Sequence, residues 1–188
     1  MKTPIDLKQK ILDGAVFIYP TDTIYGLGCN ALDACAVDRI KEIKGRDKNK
    51  PMSVIAPSMD WIEENCIVPR VASSQFSIEN NNDPPTLPKL VNRKLLQGSA
   101  SKNNFLKKYL PGPYTLILKK KNPDFLKHVA SGDTLGVRIP DCEFTSRVQE
   151  AGVPIITTSV NLSGQKPANC IDDIHEEIIN KVDFAFDY

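Results

Sequence analysis

The chain has 188 residues, enough for one domain with a substantial core and too few for two ordinary ones. With 24 Lys and Arg against 23 Asp and Glu, its formal charge of +1 excludes a global field for nucleic acid, so any RNA contact has to come from a local patch. There is no apolar leader and no apolar run of about 18 residues, so the expectation is a cytoplasmic protein with no membrane partner.

In chain order, the pattern predicts an amphipathic helix over Pro4 to Leu12, with Ile5, Ile11 and Leu12 inward, stopped at Asp13-Gly14. The apolar run Ala15 to Tyr19 reads as a buried strand closed by Pro20. Thr21 to Gly28 reads as a turn-rich loop whose two glycines allow close backbone approach. A helix from about Leu32 to Ile43 ends at Lys44-Gly45, placing Lys44 and Arg46 at a helix exit. A strand over Met52 to Ala56 and a helix-like piece from Met59 to Cys66 follow.

From about residue 69 to 104 the character changes, with Asn80-Asn81-Asn82-Asp83 and Pro84-Pro85 and little periodicity. This segment is expected to be a flexible insertion, with a helix over Leu87 to Leu96 as the alternative. Order resumes at Phe105 to Leu110, and Pro111-Gly112-Pro113 turns into a strand over Tyr114 to Leu118. Strands over Thr134 to Ile139 and Pro154 to Ser159 flank a helix over Glu143 to Glu150. A last helix, Ile171 to Asn180, precedes the apolar stub Val182 to Phe186. Alternating strands and helices imply an α/β fold, a single-domain open twisted mixed sheet flanked by helices.

Three residue sets carry chemistry. Lys44 and Arg46 flank a glycine, so two cations can converge on one anion, a fork and a point charge; a solvated helix exit is the bland alternative. Ser159-Val160-Asn161-Leu162-Ser163-Gly164 brings hydroxyls and an amide to a strand end, where α/β sheets bind ligands, or else simply caps the next segment. Arg138 inside an apolar strand needs an anionic partner, either a structural carboxylate or a substrate carboxylate. Gly26-Leu27-Gly28 fits neither a Walker loop nor a dinucleotide fingerprint. Two histidines, His128 and His175, lie far from any Ser or Cys motif, and five scattered cysteines show no ligand spacing. Chemistry without a protein nucleophile suits a substrate that itself attacks a phosphate.

Together Pro20 to Gly28, Lys44-Gly45-Arg46, Pro111 to Leu116, Val137 to Pro140 and Ser159 to Gly164, in this order, resemble the YrdC/TsaC family of threonylcarbamoyl-AMP synthases. The resemblance covers about residues 11 to 68 and 105 to the end. It implies a YrdC/RibB-like open α/β fold with a central cavity. It also implies a reaction in which L-threonine, bicarbonate and ATP, with Mg²⁺, give threonylcarbamoyl-AMP and pyrophosphate. The product would feed threonylcarbamoyl-adenosine modification of tRNA through a separate transferase. By the same resemblance Lys44, Arg46, Ser159 and Asn161 are the catalytic set. Those four with Lys50, Thr134 and Pro167 contact ATP, while Thr23, Arg138 and Thr157 hold threonine, Arg138 on its carboxylate. Ile55 stands where many members carry histidine. The family continues past the Phe184 strand, so a C-terminal truncation is expected. The alternatives are a non-catalytic RNA-binding module of the same fold and a carbamoyl-adenylate step in hydrogenase maturation.

Overall fold

The computed structural model describes residues 7–69, 103–168 and 170–186. The expected insertion at 69–104 and the alternative helix within it lie almost wholly outside the described residues.

Eight strands form one mixed sheet, in the order β4-β5-β6-β3-β7-β2-β1-β8. They are β1 (Phe17–Tyr19), β2 (Gly26–Gly28), β3 (Ser53–Ile55), β4 (Cys66–Ile67), β5 (Leu116–Lys120), β6 (Thr134–Arg138), β7 (Ile155–Ser159) and β8 (Phe184–Ala185). β1 runs parallel to β8 and β3 parallel to β6; the remaining pairs are antiparallel. The helices are α1 (Leu7–Leu12), α2 (Ala34–Ile43), α3 (Met59–Asn65), α4 (Asn103–Tyr109), α5 (Phe144–Ala151) and α6 (Glu176–Ile179). The open mixed α/β fold read from the sequence is the one observed.

Because side chains alternate across a strand, the register sorts the sheet into two faces. One carries Ile18, Leu27, Val54, Ile156, Val137, Leu135 and Leu118 into the main core, against Val37 and Ile40 of α2, Ile62 of α3 and Leu106 of α4. The other is divided. Around β1, Phe17 and Tyr19 pack with Ile55, Ile155 and Phe144 under α1 and α5, Tyr19 stacking on Phe144 at 4.2 Å. Toward β6 the same face carries the small residues Thr157, Ser53 and Gly136, side by side in neighbouring strands. There is no room for more at Gly136, since a Cβ there would lie 2.4 Å from Ser53 Oγ.

Three expectations need correction. Gly26 to Gly28 is a strand and not a loop: Tyr19 lies over both glycines, whose Cβ atoms would stand 2.6 and 2.8 Å from its ring. The last helix is broken into a 3₁₀ turn at Ile171–Asp173 and α6, because Ile174 and His175 are extended, with ψ of 129° and 130°. Leu12 is 40% exposed, so only Ile11 of the described α1 residues is buried in the core. β4, the two-residue edge strand after α3, was not anticipated.

Candidate active site

Helix α2 delivers the cations. Asp33 caps its start, accepting from the amides of Cys35 and Ala36. At its end Gly45 takes φ +57°, its amide donating to Glu42 O while the Arg46 amide donates to Lys41 O. That pair of bonds is the Schellman closure, which only a residue tolerant of positive φ completes cheaply, and it fixes where Lys44 and Arg46 leave the helix.

Lys44 is buried, and its ammonium donates to the Ser159 carbonyl, to the Asn161 carbonyl at 2.8 Å and to Asn161 Oδ1 at 3.2 Å. Asn161 Oδ1 also accepts from Ser159 Oγ, and its amide nitrogen donates to Gln165 O at 2.8 Å. Three of the four residues expected to be catalytic therefore form one bonded cluster at the end of β7. Burial, then the neighbouring Arg46 cation, pulls the Lys44 ammonium down from 10.5 to about 8. Arg46, half-buried, donates from Nη2 to Pro51 O at 2.8 Å and keeps a buried Nε without a hydrogen-bond partner.

Beside this cluster lies a cavity of about 140 Å³, lined by Thr21, Thr23, Ser53, Arg138, Thr157 and Ser159 among others. All three residues assigned to threonine, Thr23, Arg138 and Thr157, thus face one space, with Ser159 joining it to the Lys44 cluster. Arg138 Nη2 donates to Asp22 Oδ1, and the Asp141 amide donates to Asp22 Oδ2 at 3.2 Å. Of the two partners the sequence left open for Arg138, the structural carboxylate is present. Asp22 was missed as a site residue; the signal was the need of Arg138 for an acid.

The other candidates lie further out. Thr134 shares the open face of β6 with Gly136 and Arg138, but four residues of strand, about 13 Å, separate it from Arg138. It is exposed beside Lys119, and Lys50 and Pro167 are exposed in loops. Ile55 is fully buried under the aromatic cluster. Both histidines do structural work: the His128 ring is 2.8 Å from Ala31 O, and His175 caps α6. All five cysteines are free thiols.

A family model for Sua5, YciO and YrdC, described as telomere recombination, matches residues 9–188. The chain belongs to this family. A Methanocaldococcus jannaschii protein provisionally named threonylcarbamoyl-AMP synthase is 34% identical over 96% of this chain and 71% of its own length. A Vibrio campbellii protein named threonylcarbamoyl-AMP synthase is 28% identical over 95% of the chain and 82% of its own. Pyrococcus abyssi Sua5, solved in complex with L-threonine, superposes with a TM-score of 0.69 at 27% identity. It is matched over 96% of this chain but only 45% of the Sua5 chain, so the family member described here spans under half the length of that relative.

Proposed function

We propose that this chain is a threonylcarbamoyl-AMP synthase, joining L-threonine, bicarbonate and ATP into threonylcarbamoyl-AMP with release of pyrophosphate. The observation that carries the reading is the junction at Ser159, which both lines the Arg138 cavity and belongs to the Lys44 cluster. An amino acid in the cavity and a nucleotide phosphate at the cluster would then meet at one residue. The names of the relatives and the threonine-bound Sua5 point the same way.

In this reading Thr23, Arg138 and Thr157 hold threonine, Arg138 facing its carboxylate. Arg46, Lys50 and Thr134 serve the nucleotide, with Pro167 nearby and Ser159 and Asn161 at its reactive end. The threonine nitrogen adds to bicarbonate with loss of water, giving a carbamate. A carbamate oxygen attacks the α-phosphorus, the bond to the bridging oxygen breaks, and pyrophosphate leaves. Holding the partners together and offsetting the charge that develops on the phosphate supply the catalysis, and a walled cavity shields the carbamate from water. Magnesium belongs to the nucleotide substrate here. Magnesium favours phosphate oxygens and retained waters over dedicated all-protein cages, so it is read as arriving on the phosphates. The product would pass to a separate transferase acting on tRNA. The protein is read as cytoplasmic; no helix among the described residues is long and apolar enough to cross a membrane.

The test is pyrophosphate release with each substrate omitted in turn. Release needs all three, Arg138→Ala raises the KM for threonine, and Arg46→Ala raises the KM for ATP. Release that is indifferent to threonine sinks the reading. Tight binding of RNA without turnover, weakening steeply with salt, would instead favour the non-catalytic RNA-binding alternative.

A further inference from the structure

A lysine ammonium has three N–H donors, and at Lys44 all three are spent. They go to the Ser159 carbonyl, the Asn161 carbonyl and Asn161 Oδ1, on a residue only 2% exposed. The main chain of Lys44 is engaged as well: its carbonyl accepts from the Ser163 amide at 2.9 Å, and its amide donates to Ile40 O. The side chain and the carbonyl of this one residue therefore hold the 159–163 turn against the end of α2.

The same device appears where no ligand site is in question. Lys120 is equally buried, and its ammonium donates to the carbonyls of Pro123, Phe125 and Ala130 at 2.6, 3.0 and 2.9 Å, closing the loop after β5. A triply bonded, buried ammonium is thus a loop fastener in this fold. Arg46 is the opposite case: half-buried, bonded through Nη2 to Pro51 O, with Nε unpartnered. Lys50 is exposed one residue before Pro51.

We propose that Lys44 is a positioning residue, whose ammonium shapes the Ser159–Ser163 turn and touches no phosphate, the phosphate contact falling to Arg46 and Lys50. The inference rests on the nucleotide reading above. It reassigns one member of the catalytic set and separates the two cations of Lys44-Gly45-Arg46 into a builder and a ligand.

Arginine is at least as good a phosphate ligand as lysine, but its planar fork cannot reproduce a tripod of three acceptors. Lys44→Arg therefore distinguishes the roles, with titration calorimetry against ATP, ADP and AMP as the measurement. Loss of one charged hydrogen bond corresponds to about 10- to 150-fold in affinity. As a positioning residue, Lys44→Arg and Lys44→Met both lose affinity in that range, by the same factor for all three nucleotides. Arg46→Met instead loses most for ATP and least for AMP. Retention of wild-type ATP affinity in Lys44→Arg, or a Lys44→Met loss confined to ATP, overturns the inference and leaves the nucleotide reading intact. A wild-type protein that binds none of the three nucleotides overturns both. Should the variants fail to fold, NMR of the wild type decides: adding ATP shifts the Arg46 Nε signal and leaves the Lys44 ammonium signal in place, whereas the reverse pattern overturns the proposal.

Discussion

Arg138, which lines the cavity, is paired with Asp22, the two side chains only 11% and 12% exposed, so the cation that faces the cavity already has a resident anion. Asp22 is held in turn by the Asp141 amide, in the segment that follows β6. The pair ties the segment before β2 to the end of β6, two strands that are not neighbours in the sheet. It also sets the orientation of the guanidinium that threonine would find.

Removing one partner of a buried ion pair leaves the other charge unpaired, typically at about 3 kcal/mol or more. Asp22→Ala is therefore expected to lower stability by about 3 kcal/mol in urea unfolding. A stranded Arg138 also makes a carboxylate ligand more welcome. Added L-threonine should then raise the Tm of Asp22→Ala by more than that of the wild type. Equal shifts would show that Arg138 does not face the ligand's carboxylate.

Gly28 makes a sharper steric test. A Cβ there would lie 2.8 Å from Ile156 O and 2.8 Å from the Tyr19 ring, neither of which can move without disturbing the sheet. Gly28→Ala should destabilise by about 1–3 kcal/mol, the range for overpacking a core. Gly132→Ala, where a Cβ meets nothing within 4 Å, should stay within about 0.5 kcal/mol of the wild type. Chemical denaturation of the pair checks both, and equal effects would refute the account of β2.

This glycine also shows why part of the fold was hidden in the sequence. The strands over Ala15 to Tyr19 and Thr134 to Ile139 are legible because each carries β-favouring apolar residues and is closed by a proline, Pro20 or Pro140. Gly26-Leu27-Gly28 has the propensity of a loop and becomes a strand only because Tyr19, on the neighbouring strand, fills the space that side chains would need. The break at Ile174 and His175 left no local mark either, since the surrounding apolar spacing is helical. The site divides in the same way. Lys44, Arg46, Ser159 and Asn161 could be named from motifs, and the need of Arg138 for an acid from its strand. Which of the 23 acids answers it depends on β6 and the Thr21–Thr23 loop converging, a relation no spacing encodes.

At the C-terminal edge, Asp183 accepts from the buried Val16 amide and from Arg39, both at 2.7 Å, fastening β8 beside β1. Burial pushes its carboxyl up, but the Arg39 and Val16 hydrogen bonds outweigh it and hold the group below 3.8. A depressed carboxylate contributes stability above its unfolded pKa and loses it as pH falls through the folded value. Asp183→Asn should flatten the acid limb of the stability curve below about pH 4. Asp183→Ala, which strands the Val16 amide, should cost about 1–3 kcal/mol at neutral pH. An unchanged acid limb in Asp183→Asn would remove Asp183 from the account.

The Lys44 ammonium gives two pH effects of opposite sign. With its pKa held near 8 in the folded chain against 10.5 for a free lysine, the unfolded chain binds the extra proton between those values. The contribution of Lys44 to stability is therefore smallest below pH 8 and grows as pH rises toward 10.5. The turn behaves the other way. A neutral amine has two N–H groups for three acceptors, so one bond to Ser159 or Asn161 is lost as the proton leaves, and the turn that presents Ser159 loosens. ATP affinity should fall as pH rises through about 8 while the folded state does not weaken from this group. Measured from pH 6.5 to 9.5, the affinity of the wild type should show that inflection and Lys44→Met should not. An inflection that persists in Lys44→Met would assign it to another group.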